Sequence, residues 1–307
     1  MKIKICLFLL ISINIYPQKA DLKWVNKTRV NTDLIPITQT PKSRNYQNIE
    51  TLNSVANYIN SELSKVCDSV TFQQFKVNGN VYKNVIGSIG IKHKERIIIG
   101  AHYDVCGNQQ GADDNASGTV GLIELARLLS KEKLNYRIDF VAYSLEEPPF
   151  FRTPYMGSYI HANYLHTKKI KVKGMICLEM IGYYSEEKNS QNYPIKEMSL
   201  KHGNVADFIT VVQSEKSGAF GKEMEALMKE QFLIKTINFK GSSLIAGVDY
   251  SDHLNYWKFD YPAIMITNTA FYRNKNYHTE NDTIETLDID KMCAVIEQLF
   301  LSIKQLK

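Results

Sequence analysis

Apolar residues along the chain follow two alternating patterns. In some segments they recur every three or four residues, which is typical of one buried helix face, and in others they form short continuous or alternating runs, which is typical of strands. The first pattern predicts helices at 51–66, 117–131, 155–165, 219–230 and 288–306. The second predicts strands at 71–77, 81–90, 96–102, 137–145, 208–213, 234–239 and 261–267, and one that begins at 172. Turn residues at 78–80 join the first two strands into a hairpin.

Most of these strands alternate with helices, and this order indicates the fold class. Such alternation favours a mostly parallel sheet wrapped by helices. The continuous apolar runs at 96–102 and 137–145 agree, because strands of such a sheet are buried on both faces. No stretch rich in Pro, Gly or Ser divides the chain. We therefore predict a single α/β domain at 49–307, with a mixed, mostly parallel sheet covered on both faces, after an irregular polar lead-in at 19–48.

The start of the chain combines two lysines, Lys2 and Lys4, with an apolar run from Ile5 to Tyr16. This run is shorter than the roughly 20 residues that a membrane-spanning helix needs. A charged start followed by a short apolar stretch is typical of a secretory signal peptide. We therefore predict a signal peptide at 1–18, an exported protein and no stable membrane insertion after the signal is removed. The alternative is an N-terminal strand or helix of the core.

The composition is that of an ordinary globular protein, with 44% apolar and 22% charged residues among 307. The net charge of +5 is modest and the basic residues are scattered, so no nucleic-acid partner is predicted. Beyond the signal lie the cysteines Cys67, Cys106, Cys177 and Cys293, too few for a disulfide scaffold. Their spacing leaves one bridge open, and Cys177 and Cys293 fall in apolar patterns typical of buried thiols. The oligomeric state is not indicated.

Ionisable and polar side chains follow the predicted buried strands or precede helices. They are His102, Asp104, Asp113, Asp114, Asn115, Glu146, Glu147, Glu179, His278 and Glu280. Each alone has an ordinary explanation, for example a helix N-cap for residues 113–115. Glu179 is harder to explain, because it follows the apolar residues Met175 to Leu178, where a carboxylate is costly unless it is paired or binds metal. Ligands of open α/β sheets bind outside the carboxyl ends of the strands, so the convergence of these groups predicts a metal site there.

The donor types favour zinc. Imidazole nitrogens and carboxylate oxygens are common zinc ligands, and two imidazoles with three carboxylates suit a pair of ions that share one bridging carboxylate. Such a pair activates water, and a further carboxylate must take and return its proton. Glu146, beside the candidate ligand Glu147, is placed for that role. Asp104 is two residues past His102 and is predicted to hydrogen-bond its imidazole and fix the tautomer.

Six segments together resemble the M28 family of zinc aminopeptidases. They are AHYDVCG, GADDNASGTVGLIELARLL, YSLEEPPFFRTPYMGS, CLEMIGYY, YSDH and YHTENDT, in that order over residues 101–283. The resemblance implies hydrolysis of peptide bonds, most often with release of N-terminal residues. It implies that Asp114 bridges two zinc ions, that His102 and Glu179 complete one ligand shell, and that Glu147 and His278 complete the other. It further implies that Glu146 is the general base and then the acid, with Asp104 supporting His102.

This chain departs from the family pattern in two places. Glu179 stands where the family commonly has Asp, and its side chain is one methylene longer. The segment 148–154 is longer and more aromatic than usual, and we predict that Phe150 and Phe151 shape the substrate pocket, with a rigid surface turn as the alternative. Tyr250 and Asp252 lie where the family places substrate contacts, and Tyr250 is a candidate to support a developing oxyanion.

Three other functions are compatible with parts of the pattern. A dipeptidase or carboxypeptidase of the M20 type shares the HxD and Glu-Glu elements, but such chains insert a lid domain that is not visible here. A glutaminyl cyclase has the same fold and binds one zinc, and it lacks the doubled Asp and Asn at 113–115. A non-enzymatic binding protein on this scaffold would have lost ligands, whereas every ligand position here, and Glu146, has a competent side chain.

Overall fold

A computed structural model describes residues 22–307 of the chain. The predicted signal peptide at 1–18 lies outside the described residues. Within 22–307, none of the helices has the length and apolar character needed to cross a bilayer. The cysteines of this range, Cys67, Cys106, Cys177 and Cys293, are all free thiols, so they form no bridge with one another.

Eight strands of the described residues form one mixed sheet. They are β1 (Ser69–Val77), β2 (Asn80–Ile89), β3 (Arg96–His102), β4 (Arg137–Tyr143), β5 (Val172–Glu179), β6 (Phe208–Gln213), β7 (Lys235–Lys240) and β8 (Ala263–Thr267). Their order is β1-β2-β4-β3-β5-β8-β6-β7. The central strands β4, β3, β5 and β8 are mutually parallel, whereas β1 and β2 form an antiparallel hairpin at one edge. The carboxyl ends of the four central strands therefore lie along the same edge of the sheet.

Helices cover both faces of this sheet. They are α1 (Lys27–Thr38), α2 (Ile49–Ser64), α3 (Gly118–Leu129), α4 (Gly157–Thr167), α5 (Glu197–His202), α6 (Gly218–Gln231), α7 (His253–Lys258) and α8 (Ile289–Lys304). The larger apolar core joins one sheet face to α1, α2, α3, α6 and α8. The smaller core joins the other face to α4 and α7. The predicted α/β domain with a mostly parallel mixed sheet is thus confirmed.

The predicted elements agree best where the apolar pattern is strongest. Strands β3 and β6 have the predicted bounds, because each is a mainly apolar, buried run that ends at a polar residue. The irregular lead-in expected at 19–48 is wrong for 27–38, which forms α1. This helix buries Val30, Leu34 and Ile37, spaced as on one helix face, but its other residues are mostly polar and hide the pattern. The short helices α5 and α7 were also not predicted.

Candidate metal centre

The carboxyl ends of three adjacent parallel strands bring the predicted site residues together. His102 is the last residue of β3, Glu179 is the last of β5, and Glu146 and Glu147 follow β4 by a few residues. All four are almost completely buried, with at most 6% of their surface exposed. Asp114, also buried, lies in the irregular helical segment Ala112–Ser117 before α3. The parallel arrangement of β4, β3 and β5 thus explains why residues distant in sequence share one cavity.

Asp114 lies between the two imidazoles of the cluster. Its Oδ1 is 3.4 Å from Nε2 of His102, and its Oδ2 is 3.1 Å from Nε2 of His278. On the first side, Nε2 of His102 is 3.3 Å from Oε2 of Glu179. On the second, Nε2 of His278 is 3.3 Å from Oε2 of Glu147. The two oxygens of Asp114 therefore face two separate groups, each with one imidazole and one further carboxylate.

The residues of the cluster fit divalent metal ions. Asp114 Oδ2, Glu147 Oε1 and His278 Nε2 are buried and have no hydrogen-bond partner among the described residues, and leaving such groups buried without partners is costly. Ligand atoms of His102, Asp114 and Glu147 lie within 4.8 Å of one another, a spacing compatible with one ion. Nitrogen and oxygen donors of this kind suit zinc.

The electrostatics of the cluster favour the binding of cations. Burial raises the pKa of Glu146 well above its usual value; His102 opposes this shift and Glu147 adds to it. Burial, together with Asp114, raises the pKa of Glu147 to about 7. Burial also disfavours the charged form of Asp114, but contacts with His102 and His278 lower its pKa below the usual range. Carboxylates thus outnumber the imidazoles that stabilise them, and bound cations would relieve the repulsion.

Glu179 is held by Ser251, which the sequence analysis did not single out, and by Asn115, which it named without a specific role. The Ser251 hydroxyl donates to Oε2 of Glu179 at 2.6 Å. The Asn115 amide donates to the backbone carbonyl of Leu178 at 2.8 Å, and its oxygen accepts from the backbone N–H of Met180 at 3.0 Å. Ser251 therefore orients the Glu179 carboxylate, and Asn115 fixes the backbone on either side of Glu179.

Asp104 has a role beyond the predicted one. Its carboxylate accepts hydrogen bonds from the backbone N–H groups of Glu146 and Glu147, both at 3.2 Å. Its Oδ1 is 3.6 Å from Nδ1 of His102, whereas its backbone oxygen lies at 3.3 Å from the same nitrogen. Asp104 thus positions the Glu-Glu turn and contacts the His102 ring through two oxygens.

Several site residues have left-handed backbone conformations. Leu145, directly before Glu146, has a φ of 60°, Met180, directly after Glu179, has a φ of 51°, and His278 itself has a φ of 57°. Such conformations are uncommon for residues with a Cβ and cost roughly 1–3 kcal/mol each. They concentrate at the points where the chain turns its ligands into the cavity, where the surrounding packing maintains them.

A largely apolar pocket opens beside Glu179. Its walls include Phe208, Val212, Ile237, Met265, Phe271, Tyr250 and Tyr277. Tyr277, not predicted as a site residue, stacks on the His278 ring with centroids 3.8 Å apart. The pocket thus reaches the candidate metal centre at Glu179, and its wall residue Tyr277 contacts His278.

The predicted substrate contacts lie in different places. Tyr250 lines this pocket. Phe151 packs on the Tyr250 ring, with centroids 5.9 Å apart, but does not itself line the pocket. Phe150 is buried in the larger core and packs on Tyr46 and Tyr82. Asp252 is fully buried, and burial raises its pKa to about 7 against the opposing effect of His102.

Fold and site together place a cluster of candidate metal ligands at the strand ends of an α/β domain. Residues 84–302 match the sequence model of peptidase family M28. The chain belongs to this family. Metal-dependent hydrolysis of peptide bonds is the activity that family membership supports.

Two relatives in sequence align with different shares of their own length. The Escherichia coli protein YfbL is 45% identical over 271 residues, which cover 85% of this chain and 82% of that protein. A probable leucine aminopeptidase 1 of Trichophyton verrucosum is 28% identical over 68% of this chain, and the match spans only 54% of the fungal protein.

Solved structures share the fold. A leucine aminopeptidase precursor from Bacteroides thetaiotaomicron superposes with a TM-score of 0.71 at 18% identity, covering 94% of this chain and 100% of that one. A glutaminyl cyclase from the same organism gives a TM-score of 0.70 at 18% identity, with the same coverage of both chains. At this identity, the likeness establishes the fold and does not separate the two activities.

Proposed function

We propose that the chain is an aminopeptidase that depends on two zinc ions and releases N-terminal residues from peptides. The observation that carries the proposal is the position of Asp114, whose two carboxylate oxygens face different imidazoles at 3.4 and 3.1 Å. His102 and Glu179 would hold one ion, Glu147 and His278 the other, and Asp114 both. When bound, the ions would supply Lewis acidity to water and to the substrate carbonyl.

Glu146 is proposed to move the proton. Its Oε2 is 3.9 Å from Nε2 of His102, at the same cavity as the ligands. Burial raises its pKa well above the usual value, with His102 opposing the shift, and a raised pKa suits a carboxylate that must first accept a proton and then donate it. Glu146 would therefore take a proton from the attacking water and transfer it to the leaving amine.

The apolar pocket beside Glu179 supports a substrate with a large apolar N-terminal side chain. Most of its wall consists of aliphatic and aromatic side chains, and burial of such groups is the main source of affinity in pockets of this type. The half-exposed Tyr250 lies at the wall, and its hydroxyl is proposed to contact the substrate. We also propose export, on the basis of the charged and apolar N-terminal residues.

The test combines metal analysis with a panel of aminoacyl anilides, assayed with and without a chelator. Two zinc ions per chain and chelator-sensitive release of apolar residues are expected. One zinc per chain with cyclisation of N-terminal glutamine would establish the cyclase alternative instead. Stable zinc binding without turnover of any peptide or anilide would favour a binding protein.

A further inference from the structure

A thiol lies beside the Glu147 and His278 side of the metal centre. Ligand atoms of Cys106, Glu147 and His278 are within 4.8 Å of one another. Cys106 is half-buried and forms no disulfide. Glu147 is only 4% exposed, and its Oε1, like Nε2 of His278, has no hydrogen-bond partner among the described residues. Two possible ligand atoms without a hydrogen-bond partner thus lie near the sulfur. One ion could contact all three after small movements of the side chains.

The loop that carries Cys106 is fixed on both sides of the thiol. The buried Arg44 guanidinium donates to the backbone oxygens of Tyr103 at 2.7 Å and Gly111 at 2.6 Å. Directly after Cys106, the Gly107 oxygen accepts from the Asn45 amide at 2.7 Å. The approach of the thiol to the cluster is therefore built into the fold.

Asp104 couples this loop to the ligand turn. Asp104 lies two residues before Cys106, and its carboxylate accepts hydrogen bonds from the backbone N–H groups of Glu146 and Glu147 at 3.2 Å. The loop that carries Cys106 and the turn that carries Glu147 are therefore joined through Asp104.

We infer that Cys106 is an additional protein ligand of the metal position formed by Glu147 and His278. This inference rests on the metal centre of the proposed function. With Asp114 Oδ2, which is 3.1 Å from His278 Nε2, that position has four protein donors, the number found in closed zinc sites. The position of His102, Asp114 and Glu179 has three, the number that leaves room for water or substrate.

A sulfur donor changes which metals the position prefers. Thiolates select soft or borderline ions such as zinc and cadmium over manganese and magnesium, which prefer oxygen. Cys106→Ser should therefore lower the zinc affinity of one of the two positions, by at least about tenfold. It should also reduce the preference of the protein for cadmium over manganese.

Cobalt spectroscopy of the full chain tests the inference directly. Metal is removed with a chelator and Co²⁺ is titrated back into the wild type, Cys106→Ser and Cys67→Ser. Cys67 is a matched control, because it is also a half-buried free thiol but lies between α2 and β1. We expect a near-ultraviolet sulfur-to-cobalt charge-transfer band in the wild type and Cys67→Ser that is absent in Cys106→Ser, while visible cobalt bands persist in all three.

Two other outcomes of the cobalt titration would contradict the inference in different ways. Visible cobalt bands without the near-ultraviolet band in the wild type would overturn the sulfur ligand and leave the metal centre intact. Absence of both would overturn the proposed metal centre together with this inference. Alkylation of the wild type checks the result without a variant: zinc should slow the modification of Cys106 at least about tenfold and leave that of Cys67 unchanged. Equal rates for Cys106 with and without zinc would contradict the ligand role.

Discussion

Asp113 and Asp114 are adjacent in sequence, but their carboxylates lie in opposite environments. Asp114 faces His102 and His278. Asp113 points into the protein, where Oδ1 accepts from the backbone N–H of Gly182 at 2.8 Å. Its Oδ2 accepts from the side-chain amides of Asn268 at 2.8 Å and Asn274 at 2.9 Å. One carboxylate thus belongs to the candidate metal centre, and the other ties together the loops around it.

This separation predicts opposite phenotypes for two equivalent substitutions. In Asp113→Asn, an amide donor would face the donors of Asn268 and Asn274, or the Gly182 N–H would lose its acceptor. We expect a loss of about 2–3 kcal/mol in the free energy of unfolding, measured by urea titration, while the folded fraction still binds zinc. Asp114→Asn should instead lose zinc at both positions. Retention of two zinc ions by Asp114→Asn would refute its bridging role.

Glu146→Gln isolates proton transfer from metal binding. The amide occupies the same space but cannot accept a proton, so we expect kcat to fall roughly 10²–10⁴-fold with zinc content and thermal unfolding unchanged. Glu280→Gln is the matched control, since Glu280 is an exposed acid close to His278 in sequence. A Glu146→Gln variant with near wild-type kcat would show that another group is the base.

A buried histidine remote from the ligands predicts how stability depends on pH. His161 Nδ1 is 2.7 Å from the Tyr256 hydroxyl, which is 2.6 Å from that of Tyr143. Burial lowers the pKa of His161 to about 4, whereas an unfolded histidine has a pKa of about 6.5. Below about pH 6.5 the unfolded chain takes up a proton that the folded chain does not, so acid should favour unfolding until about pH 4.

The size of this effect is about 3 kcal/mol for a fully buried group with that shift. His253 contributes in the same direction, because burial also lowers its pKa to about 4. We expect His161→Gln to be less stable overall but to lose part of this pH dependence, measured by urea unfolding in chelator between about pH 7 and about pH 4.5. The same slope in the variant and the wild type would contradict the assignment.

The fold could be predicted from the sequence because its central strands are buried on both faces. Continuous apolar runs such as 96–102 leave little choice of structure. Helix α1 could not be predicted, since Val30, Leu34 and Ile37 stand among polar residues and gain their burial only from packing against other helices. The spacing of these three residues is helical, but the polar composition of the segment favoured an irregular structure over a helix.

The candidate site also contains residues that the sequence pattern predicts and residues that it does not. The proposed ligands follow apolar strands, so local pattern places their backbones at one sheet edge. The residues that support the ligands come from loops that meet the site only through tertiary folding. Asp282, for example, accepts from the backbone N–H groups of Asp113 and Asp114 at 2.9 and 3.0 Å across more than half the chain. Ser251 reaches Glu179 across 72 residues, and no periodicity encodes either contact.

The preference for apolar N-terminal residues can be tested at Met198. Met198 lines the pocket from the short helix α5, none of whose residues is buried, so a substitution there should leave the fold intact. In Met198→Trp the larger ring would occupy space that a substrate side chain needs. We expect kcat/KM for a phenylalanyl anilide to fall at least about tenfold relative to an alanyl anilide.

Leu200→Trp provides the matched control for this prediction. Leu200 is on the same helix but is 88% exposed, and it is not among the residues that line the pocket beside Glu179. The same bulk added there should leave the ratio of the two anilides unchanged. If both variants alter the ratio equally, the effect comes from the helix and not from the pocket. If neither does, the N-terminal side chain binds elsewhere, and the apolar pocket is not the specificity pocket of this enzyme.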